Sequence, residues 1–363
     1  MKKRILIVLP NDSLGGAEQY LRMIASHFKQ EDIQIIHFNK IQGMDWFEND
    51  QNVPQEFMSY DSERTGLFKF VIRSFKKRQT YDYIFTSHIF VNSLIGFLLS
   101  LGIIKSTRFI ARESTSIFLR YKGAKLFLYK RAYTLGYKKM NLLICQTDIM
   151  KKQLLDHFPK IGERTAITVI PNPIDLHQIK LKAQEDLPSN LPDKFIVSAG
   201  RLIHEKGYDI LIRAFNEINK EYPHLKLIIL GQGQLLEELR SQIKNQKLEE
   251  HVILMGQVDN VYSYFKLANL CVISSRIEGF PNVLLQMMTQ NNNVVSTKCA
   301  GGIENIPGII TAETDNVESL KKAIISGLNK VDNLENRTAF DQFLKGRNIS
   351  SFIREVLKLS SIE

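Results

Sequence analysis

The sequence predicts an α/β protein of two domains, each built on a parallel sheet flanked by helices. Three observations carry this prediction. Short apolar, β-rich runs alternate with stretches of helical period along the chain, which is the cadence of repeated β-α units. The segment 171–193, PNPIDLHQIKLKAQEDLPSNLPD, holds four of the chain's ten prolines and reads as a boundary. Finally, 363 residues exceed the roughly 100–200 of a single domain, so each half can bury a core of its own.

In the first half the strand candidates are RILIVLP (4–10), IQIIHF (33–38), YDYIFTS (81–87), TRFIAR (107–112), NLLICQ (141–146) and ITVIPN (167–172). In the second they are KFIVSAG (194–200), KLIILG (226–231), VILMG (252–256), LCVISS (270–275) and NVVST (293–297). The tail 336–361 reads as one or two helices. The expected domains are 1–172 and 173–344, with a terminal helix at 345–363 packing back on the first. Two such domains imply a cleft, and parallel sheets take ligands beyond the carboxyl ends of their strands.

Composition narrows the class. Cys145, Cys271 and Cys299 are odd in number, far apart and without C-x-x-C spacing, which argues against disulfides or a zinc site. No apolar run reaches the ~18 residues of a membrane span, and the apolar stretch of MKKRILIVLPND is too short for a signal peptide, so a cytosolic protein is expected. The net charge of +10 is lopsided: residues 1–172 hold 26 Lys and Arg against 15 Asp and Glu, the remainder 22 against 23. Within the basic half, 118–140 mixes seven basic residues with six aromatics, which suits an anionic membrane surface. A solvated helix whose basic stems cover apolar surface is the alternative. Nucleic acid is excluded as a partner for want of any accompanying recognition motif.

Four loops after strands can carry chemistry. In PNDSLGGAEQ (10–19), Gly15 and Gly16 permit a tight turn into a helix whose first amides suit an anion, although a plain β-to-α turn would look the same. In SAGRLIHEKG (198–207), Arg201 and Lys206 offer cations to a diphosphate. In ILGQGQL (229–235), Gly231 and Gly233 again join a strand to a helix. In SRIEGFPNVLLQ (275–286), Glu278 precedes Gly279, Phe280, Pro281, Asn282 and Val283, with Pro281 expected in the first helical turn. That places a carboxylate for sugar hydroxyls beside amides for phosphate oxygens.

The order and spacing of GGAE, VIPNPID, GRL with EKG, LGQGQL, SRIEGFPNVLLQ and STKCAGGIENI resemble the retaining glycosyltransferases of family 4, of the bacterial surface-polysaccharide type. The resemblance covers most of the chain. It implies the GT-B fold, two Rossmann-like parallel-sheet domains facing a central cleft, the first binding acceptor and the second a nucleotide sugar. It gives Glu278 the donor sugar hydroxyls, Gly15, Gly16, Arg201 and Lys206 the diphosphate, and the backbone around Gly279 to Val283 the sugar and phosphate, while Gly231 stays a donor-binding candidate from its loop, where a simple tight turn is the equal alternative. The second glutamate of the family's E-x7-E motif is replaced by Gln286, an amide that accepts a hydroxyl hydrogen bond without charge assistance. His88, and Arg112 with Glu113, follow strands in the first domain where related enzymes place polar groups near the transferred sugar.

The implied activity is transfer of a hexose or N-acetylhexosamine from a nucleotide diphosphate sugar, UDP-linked by expectation, to a lipid-linked saccharide. The implied setting is polysaccharide, O-antigen or capsule assembly at the inner face of a membrane. Glu278, Arg201, Lys206 and His88 are the catalytic candidates. No cofactor is expected, and no metal, because the chain lacks a D-x-D. The alternatives are a non-catalytic nucleotide-sugar-binding module and a sugar-nucleotide epimerase.

Overall fold

The computed structural model describes residues 2–13, 15–41, 53–185, 191–330 and 334–361. The chain divides into two compact units: unit 1 is Met1–Pro173 with Ile349–Glu363, and unit 2 is Ile174–Asn348.

Unit 1 runs β1 (Arg4–Asn11), α1 (Gly16–His27), β2 (Asp32–Asn39), β3 (Gln55–Ser59), α2 (Glu63–Lys77), β4 (Thr80–Thr86) and α3 (Ile89–Ser100). It continues through β5 (Lys105–Arg112), α4 (Ile117–Arg120), α5 (Gly123–Gly136), β6 (Leu142–Cys145), α6 (Asp148–His157), α7 (Pro159–Gly162) and β7 (Ala166–Val169). Its seven strands are all parallel, in the order β3-β2-β1-β4-β5-β6-β7. The central strands are apolar on both faces because helices cover both. One core packs Phe70 of α2, Ile95 of α3 and Tyr133 of α5 against Val8 and Phe109.

Unit 2 holds α8 (Leu176–Lys182), β8 (Phe195–Ala199), α9 (Tyr208–Glu221), β9 (Lys226–Leu230), α10 (Leu236–Asn245), β10 (Val252–Gly256), α11 (Tyr262–Leu267) and β11 (Leu270–Ile273). It ends with α12 (Asn282–Gln290), β12 (Val294–Thr297), β13 (Ile310–Ala312), α13 (Val317–Leu328) and α14 (Leu334–Lys345). Its parallel order is β10-β9-β8-β11-β12-β13. The final helix, α15 (Ile349–Leu359), returns to unit 1, where Phe352, Ile353 and Val356 join Tyr20, Leu21 and Ile24 of α1 in the core on the other face of that sheet.

Each strand expected from sequence is present, and two more were not anticipated: β3 and β13, both at sheet edges. In both sheets the order reverses once, between β1 and β4 and between β8 and β11. In open parallel sheets such a reversal of order is the usual ligand position. Part of the boundary segment, 186–190, lies outside the described residues.

Candidate functional site

The switch point of unit 2 gathers most of the residues singled out from sequence. After β8 the chain makes a short turn, His204–Lys206, closed by Gly207 at φ 64°. A side chain there would strike the carbonyl oxygen of Ser274, so only glycine lets this turn lie against the end of β11. The two loops are then sewn together. Ser274 Oγ donates to the Lys206 carbonyl at 2.9 Å, and Arg276 N donates to the Glu205 carbonyl at 2.7 Å. The Arg276 guanidinium grips Asp209 through two bonds of 2.8 and 2.7 Å and reaches Asp315 at 2.9 Å. Burial works to raise the Asp209 carboxyl, but Arg276 outweighs it and holds it below the ordinary value.

This frame presents Lys206 and Glu278 to each other. Lys206 Nζ lies 2.5 Å from Glu278 Oε1, with both side chains largely covered, and Ser275 Oγ donates to the same oxygen at 3.0 Å. Among the described residues Oε2 accepts no hydrogen bond, so one carboxylate oxygen is left to meet a hydroxyl. Glu278 N donates to the Cys299 carbonyl at 2.8 Å, fixing the loop from the β12 side. The carboxylate is felt by its neighbours. Burial and Glu278 together push the Cys299 thiol up to about 12 and raise the Tyr208 phenol.

The remaining unit 2 candidates fall around this pair. Gly279 is buried, and Phe280 is half-buried under the Arg347 guanidinium, 5.5 Å from the ring centre. Pro281 differs from expectation: it is the N-cap, with φ −74° and ψ 103°, and the helix begins at Asn282. Its fixed φ suits the extended cap, and its carbonyl takes the Leu284 amide at 3.0 Å. Asn282, Val283 and Gln286 lie in the first turns of α12, and Gln286 Nε2 donates to the Tyr262 hydroxyl at 3.4 Å. Gly231, at φ 137°, has no room for a side chain beside the Gly200 carbonyl, and the Gly233 position is crowded by the Leu202 backbone. These two glycines therefore press the loop after β9 onto the loop after β8. Arg201 is exposed and makes no ion pair among the described residues.

Unit 1 holds a second polar cluster at its own switch point. His88 caps α3 just beyond β4, and its Nε2 lies 2.9 Å from Glu18 Oε1 on α1. Glu18 is the third residue of a helix capped by Gly15, and its Oε2 comes within 2.6 Å of where a Gly15 side chain would begin. The carboxylate thus bends back over the positive end of its own helix, a favourable place for it. His88 Nδ1 is buried and meets no partner among the described residues.

Behind this pair lies a buried network. Arg112, 2% exposed, stacks on Tyr20 at 4.3 Å and donates to Ser87 Oγ at 3.2 Å and Asn172 Oδ1 at 2.5 Å. Burial lowers this guanidinium to about 10. Glu113 accepts from the hydroxyls of Tyr133 and Tyr137 at 2.6 and 2.7 Å. Burial raises its carboxyl to about 7, against the lowering pull of those two bonds. The sequence marked GGAE as a motif but gave Glu18 no role; a carboxylate at the third position of a glycine-capped helix was the available signal. Among the described residues no group of three or more His, Cys, Asp or Glu converges as metal ligands.

Comparison with known proteins bears on the family and the fold. Residues 180–342, nearly all of unit 2, match the family model of glycosyl transferases group 1. An uncharacterized glycosyltransferase of Methanocaldococcus jannaschii is 32% identical over 257 residues, 67% of this chain and 61% of that protein. The N-acetylgalactosamine-N,N'-diacetylbacillosaminyl-diphospho-undecaprenol 4-alpha-N-acetylgalactosaminyltransferase of Campylobacter jejuni is 33% identical over 220 residues, 59% of this chain and 58% of that one. The chain thus matches about three fifths of the length of these relatives. The crystal structure of Anabaena HepE in complex with UDP and glucose superposes with a TM-score of 0.79 at 18% identity, covering 99% of this chain and all of that one. The fold is GT-B.

Proposed function

We propose that the protein is a retaining glycosyltransferase that moves a hexose or N-acetylhexosamine from a UDP-sugar to a lipid-linked saccharide. The observation that carries the reading is the Lys206–Glu278 pair, set at the switch point of the unit that matches the group 1 family. Lys206 supplies positive charge to the departing diphosphate, joined by the exposed guanidinium of Arg201. Glu278 Oε2 accepts hydroxyls of the transferred sugar. The backbone from Gly279 to Val283, leading into α12, faces the same ligand with amides. The UDP donor is favoured by the UDP in the HepE complex, and the lipid-linked acceptor by the diphospho-undecaprenol substrate in the Campylobacter relative's name.

The chemistry is a displacement at the anomeric carbon. The bond to the diphosphate oxygen breaks while the acceptor oxygen bonds on the same face, and the acceptor proton passes to the leaving phosphate. No protein nucleophile and no metal is required, so charge placement and positioning supply the barrier reduction. The protein works at the inner face of the cell membrane, in assembly of a surface polysaccharide. Gln286 supports a second reading, a nucleotide-sugar-binding module without turnover, because it removes the charge of the motif's second glutamate. Incubation of the full chain with UDP-sugars and a polyprenyl-diphosphate saccharide decides between them. Elongated product with retained anomeric configuration supports transfer; donor binding without transfer to any acceptor supports the module.

A further inference from the structure

Three helices on one face of the unit 1 sheet carry large apolar side chains on their outer faces as well as in the core. In α2 the inward stripe is Gly66, Phe70 and Ser74, while Phe68, Ile72 and Phe75, at i, i+4 and i+7, are exposed at 64, 39 and 52%. Gly66 sits so close to the Phe38 carbonyl that no side chain would fit, so the helix is pulled down on its small residues. Helices α3 and α5 also pack closely on small residues where they touch each other. They meet through Ser93, Gly96, Ala132 and Gly136, with Ser93 Oγ donating to the Ala132 carbonyl at 2.8 Å and no space for side chains on either glycine. Phe90, Phe97, Phe127 and Leu128 face outward instead. Beyond the apolar side chains that each helix turns to the core, large apolar ones are left outside, where a helix packed in water ordinarily shows a polar face.

Charge on the same stretch is predominantly positive. Residues 62–147 contain sixteen Lys and Arg against three acids, Glu63, Asp82 and Glu113. Glu63 accepts from Asn11 and Asp82 from the Arg4 amide, while Glu113 is buried. Exposed Arg64, Lys69 and Lys76 flank the α2 stripe, and Lys122, Lys125 and Arg131 flank that of α5.

We infer that α2, α3 and α5 together form one docking face for an anionic lipid bilayer. Aromatic and aliphatic side chains enter the acyl boundary and the basic rim binds lipid headgroups. A second copy of the chain is disfavoured as occupant, because the pairing would set the same positive field against itself. The face is wider than the 118–140 segment to which the sequence pointed. It deepens the lipid-linked acceptor reading and rests on it for its purpose, though not for its observations.

The test is co-sedimentation of the full chain with phosphatidylcholine vesicles, with and without phosphatidylglycerol. Binding should require phosphatidylglycerol and weaken as salt rises. Phe68→Asp with Phe75→Asp, and separately Phe97→Asp with Phe127→Asp, should each cut binding at least ~10-fold, while Leu334→Asp in unit 2 leaves it unchanged. Circular dichroism and stabilisation by UDP-sugar confirm that each variant is folded. No preference for phosphatidylglycerol overturns the inference, as does an α2 pair that binds like wild type. It is also overturned if the wild type alone sediments as a dimer that the substitutions dissociate, or if it binds acidic protein in preference to vesicles. Vesicle binding without transfer sinks the transferase reading alone. Transfer to a detergent-dispersed acceptor without vesicle binding sinks the docking face alone.

Discussion

Unit 1 leaves fourteen large apolar side chains exposed among the described residues, and unit 2 leaves three: Leu181, Leu267 and Leu334. Both units have the same layering, a parallel sheet with one reversal of strand order. Their polar residues are handled differently as well. Unit 2 pairs its charges, Lys206 with Glu278 and Arg276 with Asp209 and Asp315. Unit 1 buries Arg112 and Glu113 among neutral hydroxyls and amides. The contrast teaches that one scaffold can carry an ion-paired loop at its strand ends or large apolar side chains on its outer helices. The layering alone does not choose between them; the residues at the loop ends and outer helix faces do.

The largest expected effect is confined to unit 2. Lys206→Ala and Glu278→Ala should each lower kcat/KM for transfer at least ~100-fold, the scale of losing one preorganised electrostatic contact, with vesicle binding unaltered. Rates near wild type would remove the pair from the site and erase the comparison. Next comes a change in unit 1 alone. Gly96→Ala forces a methyl into the Gly136 carbonyl and should cost roughly 1–3 kcal/mol of stability, measured by denaturant unfolding. UDP-sugar should still stabilise that variant.

Glu113 offers a subtler contrast. Its folded-state value is raised to about 7 from 4.5, so the native state holds a proton that the unfolded chain releases. Its stabilising contribution is complete below about 4.5 and is lost as pH rises through about 7. Glu113→Gln should flatten that part of the stability–pH curve; an identical slope in the variant would show the carboxylate to be ionised when folded. Smallest is Gln286→Glu, expected to tighten donor binding by up to about tenfold, since one charge-assisted hydrogen bond replaces a neutral one. Calorimetry would read this, and unchanged affinity would place residue 286 away from the donor.

Much of this was legible in the chain, for reasons that differ by element. Buried central strands such as RILIVLP and KFIVSA announce themselves as unbroken apolar runs. β3, QEFMS, and β13, ITA, do not, because edge strands are short and half polar. Lys206, Glu278 and the glycines around them could be read because each follows a strand within one short loop. The Glu18–His88 pair could not, since its partners are 70 residues apart and meet only through the β1–β4 pairing. The outward stripe of α2 was hidden for another reason. Periodicity gives two stripes, Gly66-Phe70-Ser74 and Phe68-Ile72-Phe75, and hydrophobicity alone selects the wrong one as the buried face.

The central claim is that unit 2 holds the donor through Lys206 and Glu278. The most direct measurement is thermal unfolding of the full chain against rising UDP-sugar. Wild type should gain stability with the logarithm of ligand concentration above its dissociation constant, and Lys206→Ala and Glu278→Ala should lose most of that gain at every concentration. Equal stabilisation in all three proteins would contradict the account.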